Sequence, residues 1–209
     1  MMSAPLAETL PQPLSRLDEA GLATLFTRAR TANSFAGTPV SDEELRRIWE
    51  LARWAPTETN SQPLRVLYVR TPEGRARVLK HLAESNRPKS ASAPVIAVLA
   101  ADTRFHEHLP ELLPYRPEAR EIFETATEKR ESVAGYNSAL QAGYFILAVR
   151  ALGLAAGPMK GFDSSGLDAE FFPDGRLRST LVVNLGHPSE RPWFQRLPRL
   201  EHEQVISWA

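Results

Sequence analysis

The chain has 209 residues, a length typical of a single domain. Its 43% hydrophobic and 24% charged residues exclude a disordered or collagen-like protein, and its 25 basic residues balance 25 acidic ones, which leaves no general electrostatic attraction to nucleic acids or anionic membranes. It contains no cysteine, so disulfides, thiolate nucleophiles and Cys-ligated metal centres are excluded, and any redox chemistry requires a bound cofactor.

Apolar periodicity predicts the elements of the N-terminal half. Residues 1–13 are predicted to be a flexible leader and lack the pattern of a secretion signal, which favours a cytoplasmic protein. Ser41, followed by three acidic residues, predicts a helix start with a capping box completed by Glu44. The predicted elements are a helix over Leu14–Arg30, a helix after Ser41 that ends at Pro56, a strand over Leu64–Val69, a turn or helix start over Thr71–Gly74 and a helix over Ala76–Glu84.

The C-terminal half contains the most apolar segments. Pro94–Ala100 predicts a strand buried on both faces, and its run is far shorter than the ~20 residues that cross a membrane. Asn137–Leu152 is apolar almost all round, which predicts a helix at the domain centre or at a subunit interface, with Gly153 as its C-terminal cap. Also predicted are an irregular cap segment over 102–130, short strands at Leu154–Ala156 and Thr180–Leu185, and an extended tail over Ser189–Ala209 with a final helical turn. The pattern predicts one α+β or α/β domain over 14–209.

Common catalytic motifs are absent. The chain has no G-x-G-x-x-G after a strand, no phosphate-binding P-loop, no G-x-S-x-G and no H-E-x-x-H. The one tight histidine pair, His106-Glu107-His108, lies in a charged stretch and is more typical of a surface than of a metal site. No metal site is predicted.

Four polar segments together indicate a ligand-binding site, although single segments also have ordinary structural explanations. Arg28-Ala29-Arg30-Thr31 suits a phosphate, because guanidinium groups bind it bidentately, although basic residues also suit the end of a helix. The segment Pro56–Pro63 offers amides and hydroxyls to the edge of a heterocycle, or forms an ordinary turn. Asn86-Arg87-Pro88-Lys89 could place a cation near a developing negative charge. In Gly157–Asp163, two glycines bracket a proline and let the backbone approach a flat ligand.

The ordered combination of these segments resembles the nitroreductase superfamily of FMN-dependent reductases. The matching motifs are P-T-x-T-N-S-Q-P, N-x-x-K before a buried strand, G-P-M-x-G-F-D and an R-L-P tail, and the likeness covers most of residues 22–200. The most similar branch is that of the malonic semialdehyde reductases. The resemblance implies an α+β three-layer sandwich, with a central, mostly antiparallel sheet flanked by helices, and a homodimer with two FMN sites at the subunit interface.

The resemblance also implies an activity. FMN would take a hydride from NADPH or NADH and pass it to a small aldehyde such as 3-oxopropanoate in a ping-pong cycle. The flavin N5 atom does the chemistry, so no catalytic side chain is predicted. A broad nitroaromatic or quinone reductase, and a flavin-binding module without turnover, remain alternatives.

The implied flavin contacts come from five parts of the chain. In the opening motif, Arg28, Arg30 and Thr31 bind the phosphate and ribityl chain, and Asn33 lies near the flavin pyrimidine. Thr57, Thr59, Asn60 and Gln62 come from the partner chain, and Asn86 and Lys89 contact the pyrimidine edge. Pro158, Met159, Lys160 and Gly161 form the loop over the flavin, and Arg196 and Arg199 close on the phosphate. Two positions depart from the family pattern. Asn33 stands where many relatives have a basic residue, and Lys160 stands where relatives often have an acid or a small polar residue. The backbone N–H of Lys160 would face N5, and its side chain could favour an anionic substrate.

Overall fold

The computed structural model describes residues 15–190 and 192–209. The predicted leader over 1–13 lies outside these residues and stays a prediction. The described residues form one antiparallel sheet of four strands, β1 (Leu64–Val69), β2 (Val95–Asp102), β3 (Ala155–Met159) and β4 (Leu177–Gly186), in the order β1-β2-β4-β3. All eight residues of β2 are buried, which confirms the predicted central strand.

Eight helices accompany the sheet in the described part of the chain. They are α1 (Glu19–Leu22), α2 (Asp42–Ala52), α3 (Pro72–His81), α4 (Arg87–Ser92), α5 (Leu109–Leu112), α6 (Ala119–Thr125), α7 (Thr127–Ala151) and α8 (Ser164–Phe171). The predicted capping box of α2 is confirmed, because the Glu44 N–H donates to the Ser41 hydroxyl and the Glu44 carboxylate accepts from the Ser41 N–H.

Side chains of β2 alternate between the two faces of the sheet, which explains the three layers of helices, sheet and helices. Ala97 and Leu99 face one side and pack with α2 and α7, while Ile96 and Val98 face the other side and pack with α3 and α8. Since side chains alternate along a strand, one strand supplies both cores. The predicted α+β sandwich with a central antiparallel sheet is therefore confirmed.

Several predicted boundaries are wrong. The helix predicted over Leu14–Arg30 is shorter, because it starts after the Asp18 cap and its final turn, Ala23–Thr27, is π-helical. The helix predicted from Asn137 begins ten residues earlier, at Thr127, since its first turns are mostly polar and show little apolar periodicity. The helix predicted over Ala76–Glu84 spans Pro72–His81 instead, which confirms the helix start among the two readings of Thr71–Gly74 and agrees with the preference of proline for the first helical turn.

The segment 102–130 is not irregular. It contains the 3-10 turn Phe105–His108 and the helices α5 and α6, and its apolar residues form a small core of their own together with the start of α7. His106 is buried rather than at the surface, and its Nε2 atom lies 2.9 Å from a carboxylate oxygen of Glu124. Whether the segment covers a site stays a prediction.

Candidate functional site along the free edge of β3

Strand β3 is an edge strand, and the candidate site lies along its free edge, the side on which no strand of the described residues pairs with it. The N–H of Ala32 donates to the carbonyl of Ala156 over 3.2 Å, so the backbone carbonyl of Ala156 points away from β4. The backbone N–H and C=O groups of successive residues point alternately to the two sides of an antiparallel strand, so the backbone groups of Pro158 also face away from β4. Proline lacks an N–H, and at this position its absence breaks no hydrogen bond between the strands. β3 ends at Met159, and donation by the backbone N–H of Lys160 stays a prediction.

A cavity of about 310 Å³ lies beside the start of β3. We call it the arginine cavity. It brings together the opening motif and the tail, which are far apart in sequence. Its lining comprises Ala29, Arg30, Thr31, Asn33, Arg150, Phe194, Gln195, Arg196, Leu197 and Arg199. Arg28 lines an adjoining cavity of about 190 Å³ that shares Arg30 and Arg150. The structure thus gathers the residues that the resemblance assigns to the phosphate.

The predicted arginines of this cavity donate only to main-chain carbonyls. A guanidinium nitrogen of Arg30 donates to the carbonyl of Phe194, and Arg196 donates to the carbonyls of Thr27 and Ala29 over 2.9 and 3.0 Å. Arg199 contacts carbonyls of its own tail. No carboxylate of residues 15–190 or 192–209 lies within ion-pair distance of them. Because each guanidinium carries five N–H donors, most remain available to an anion.

The far end of the edge presents amide and cationic groups. The Asn86 side-chain amide donates to the carbonyl of Gly161 over 2.9 Å. A Cβ atom on Gly161 would lie 2.8 Å from that amide nitrogen, so a larger residue there would displace the Asn86 side chain. Lys89 is half-buried nearby in the sequence, and burial lowers the pKa of its ammonium group. The sequence placed these residues together, and the structure joins Asn86 to the predicted loop.

The buried polar residues below this loop hold it against the sheet. Ser90 lies 3.6 Å from the sulfur of Met159 and accepts a hydrogen bond from the Asn184 amide over 3.0 Å. Lys160 is exposed, and its ammonium nitrogen lies 5.2 Å from the ring centroid of Phe162. Its side chain therefore stands over an aromatic face, in a cation–π arrangement.

The loop before β1 has an unusual backbone. Thr59, Asn60 and Gln62 have φ angles of 52°, 50° and 43°, in the left-handed region that L-residues rarely adopt. The loop is fixed from outside: Asn137 accepts from the Glu58 N–H over 2.7 Å, and the Asn60 amide donates to the carbonyl of Leu112 over 2.8 Å. Such backbone strain persists where contacts with the rest of the fold hold the conformation in place, and it is common at binding sites.

This loop lies at the other end of the sheet from the arginine cavity. Leu64, which follows it, pairs with Ala101, and Ala101 pairs with Arg178, whereas Ala155 at the start of β3 pairs with Gly186. The eight residue-to-residue steps from 178 to 186 span about 26 Å along β4. Within one chain, Thr57, Thr59, Asn60 and Gln62 therefore lie far from the arginine cavity, and β1 and β3 form opposite edges of the sheet. That the partner supplies them stays a prediction.

Replacing Gly157 by alanine tests whether the opening motif packs closely on β3. A Cβ atom there would lie 2.8 Å from the carbonyl oxygen of Ala32, so we expect Gly157→Ala to lower the free energy of unfolding by about 1–3 kcal/mol. Urea unfolding measures it. The matched control is Gly143→Ala in α7, where no atom lies within 4 Å and alanine should be neutral or stabilising by up to about 1 kcal/mol. Equal effects of both changes would contradict the packing argument.

Sequence reasoning missed Arg150, Phe194 and Gln195, which line the arginine cavity. The signal for Arg150 was its position as a charged residue at the end of an otherwise apolar helix. Among the described residues, no cluster of three acidic or histidine side chains could hold a metal ion, and no helix is long and apolar enough to cross a membrane.

The "Nitroreductase family" model matches residues 27–187 of this chain. The chain belongs to the nitroreductase family. A Streptomyces coelicolor protein named "Putative NADH dehydrogenase/NAD(P)H nitroreductase" is 64% identical over 94% of this chain and 98% of its own length. A Leptothrix cholodnii protein of the same name is 49% identical over 91% and 97% of the two chains. The predicted membership of the superfamily is thus confirmed, while its malonic semialdehyde branch stays a prediction.

Solved structures share the nitroreductase fold. The chain is similar to a crystal structure titled putative nitroreductase from Bacillus subtilis, with a TM-score of 0.82 and 18% identity over 92% of this chain and all of the other. A second one, from Exiguobacterium sibiricum, is titled a putative nitroreductase in complex with FMN and has a TM-score of 0.80 and 18% identity over 95% and 100% of the two chains. At this identity the likeness shows the fold.

Proposed function

We propose that this chain is an FMN-dependent NAD(P)H oxidoreductase that reduces a small aldehyde such as 3-oxopropanoate to 3-hydroxypropanoate. The family membership and the names of the relatives support an NAD(P)H oxidoreductase, and the FMN complex of a structural neighbour supports the cofactor. The observation that carries the proposal is the free edge of β3, which has an arginine cavity at one end and the Asn86–Gly161 contact at the other. The aldehyde substrate and a cytoplasmic location rest on the sequence alone.

The residues present fit FMN. The phosphate of FMN carries up to two negative charges, and the arginine cavity offers guanidinium donors that have no carboxylate partner among the described residues. The backbone N–H of Lys160 would offer a donor for the ring, as the resemblance implies. Asn86 contacts the loop of Lys160 through Gly161, and Asn86 and Lys89 would hold the pyrimidine end of FMN.

Bound FMN would supply hydride transfer at its N5 atom. The chain's own residues bind and orient the reactants. Lys89 and the amide of Asn86 would stabilise negative charge at the pyrimidine end, much as an oxyanion hole does. The Lys160 N–H would hold its donor position from the backbone, without depending on the side chain.

Exposed apolar residues support a homodimer. Tyr136, Leu140 and Tyr144 are spaced by four along α7 and form one exposed stripe. The tail exposes further large apolar side chains: Trp193, Phe194, Leu197, Leu200, Val205, Ile206 and Trp208. Large exposed apolar patches of this kind mark protein–protein interfaces. A second copy would also bring its loop 57–62 to the free edge of β3.

The cheapest test is the absorbance of the purified protein, followed by anaerobic titration with NADPH and with NADH. We expect bound or added FMN to be bleached by at least one of the two. A protein that binds FMN but is not reduced would be a flavin-binding module without turnover, and a protein that stays colourless after FMN is added would overturn the proposal.

The names of the relatives favour a second candidate, a broad nitroaromatic or quinone reductase. Comparing kcat/KM for 3-oxopropanoate with that for a nitroaromatic separates the two. A preference for the nitroaromatic would replace the aldehyde reductase by this alternative.

Lys160 offers a test of the substrate class. If its exposed ammonium group attracts the carboxylate of 3-oxopropanoate, Lys160→Ser should raise KM for this substrate about two- to fivefold, the range of a solvent-exposed ion pair. The KM of an uncharged aldehyde such as propanal should not change. Lys129→Ser is a matched control, since Lys129 also lies over an aromatic ring but on α7, 5.5 Å from Phe123. An unchanged KM for 3-oxopropanoate in Lys160→Ser would remove the role of this side chain.

A further inference from the structure

Arg150 lies in the last turn of α7 and lines both cavities beside the start of β3. It comes from a part of the sequence that no flavin-binding motif covers. In the arginine cavity it joins Arg30, Arg196 and Arg199, so four guanidinium groups surround a space of about 310 Å³. The four come from three separate segments of the chain, which the fold brings together only here.

The charge of Arg150 is poorly compensated. One guanidinium nitrogen donates to the carbonyl of Leu25 over 3.2 Å, while the Nε atom is buried without a hydrogen-bond partner in the part of the chain that the structure describes. No carboxylate of that part lies within 4.0 Å. Burial also lowers the pKa of this group, which shows that its charge is partly removed from water. A half-buried, unpaired cation beside three others strongly favours an anionic ligand.

Arg75 resembles Arg150 in its contacts but lies in a different electrostatic environment. Arg75 likewise has a buried Nε atom without a partner and donates to the carbonyls of Ala91 and Pro94 over 3.0 and 3.3 Å. The cavity beside it, however, holds only one other arginine, Arg70, and that residue is paired with Asp42. Contacts to carbonyls are therefore common to both arginines, and the concentration of unpaired positive charge is particular to Arg150.

We propose that Arg150 binds the 5′-phosphate of FMN as a fourth arginine of the arginine cavity. The proposal rests on the proposed function, because it requires that FMN binds. Arg150 then has two tasks: it fixes the segment before the opening motif through Leu25, and its remaining donors contact phosphate oxygens.

The test compares FMN with riboflavin, which lacks the phosphate. The full-length protein, freed of flavin, is titrated with each flavin and binding is followed by flavin fluorescence. For Arg150→Met we expect the affinity for FMN to fall about 10- to 100-fold, the range for hydrogen bonds to charged groups, and the affinity for riboflavin to change less than about twofold. Arg75→Met, the matched control, should leave the ratio of the two affinities unchanged.

Two outcomes would overturn the inference. Equal losses for both flavins would make Arg150 a structural residue only, and unchanged affinities would give it no role in binding. If Arg150→Met fails to fold, Arg150→Lys decides by the same ratio, since lysine keeps the charge but lacks the bidentate fork. A wild-type protein that binds neither flavin would instead refute the proposed function.

Discussion

Replacing Asp102 by asparagine is expected to lower the free energy of unfolding by about 2–4 kcal/mol. Asp102 ends β2 and is 1% exposed. Its carboxylate accepts hydrogen bonds from Arg65 over 2.8 Å and from two nitrogens of Arg176 over 3.0 Å, and it also accepts from the backbone N–H of Arg104. Removing the charge leaves two arginines facing a neutral amide. Because both arginines are about one-third exposed, water screens part of the effect.

The same carboxylate makes stability depend on pH. Burial favours its neutral form, but hydrogen bonds from Arg176 and from the Arg104 N–H, with the charges of Arg65 and Arg176, outweigh burial and hold the pKa of Asp102 below its ordinary value. A lowered folded-state pKa contributes stability that is present above the unfolded pKa of about 3.9 and is lost as the pH falls through the folded pKa.

Urea unfolding at pH 7 and at pH 3 measures both effects. The difference between wild type and Asp102→Asn should be largest at pH 7 and should shrink at pH 3. Asp42→Asn is the matched control: Asp42 pairs with Arg70 at the surface, so its loss should cost less than about 1 kcal/mol. If the two substitutions had the same effect, the buried network would not have the stabilising role that its geometry suggests.

The elements that the sequence predicted correctly are those with strong local signals. β1 was predicted with its observed bounds, and β2 within two residues, because continuous apolar runs between turns mark strands. The start of α2 followed from Ser41 and Glu44 alone. The start of α7 did not, since its first ten residues are held by the core around Phe105 and Phe123, which is a tertiary effect that local propensity cannot reveal.

The candidate site shows the same division. The motif segments were visible in the sequence because each is a short run of characteristic residues. Their assembly was not, since it depends on contacts such as that of Arg196 with Thr27, which are 169 residues apart. Arg150 has no motif around it and becomes notable only when the tail folds back beside α7. Conversely, His106 stood out as part of a histidine pair, and its burial against Glu124 explains it as a structural residue.

The position of the loop 57–62 leads to the prediction with the clearest all-or-none outcome. If each flavin site takes the arginine cavity from one chain and this loop from its partner, damage to either part should inactivate a homodimer. We expect Arg30→Met with Arg196→Met, and separately Asn60→Ala with Gln62→Ala, to reduce FMN-dependent NADPH oxidation at least tenfold. The two kinds of chain, carrying different affinity tags, are then co-expressed and the heterodimer is isolated through both tags.

The heterodimer should regain about half of the wild-type activity, because its twofold arrangement places both defects in one site and leaves the other site intact. Isolating doubly tagged dimers of each single type in the same way provides the control, and these should stay inactive. Recovery requires that the two groups of residues act in one site from different chains, as their separation by about 26 Å along β4 suggests. A heterodimer as inactive as its parents would instead mean that both groups serve sites within their own chain, or that the loop has no part in binding flavin.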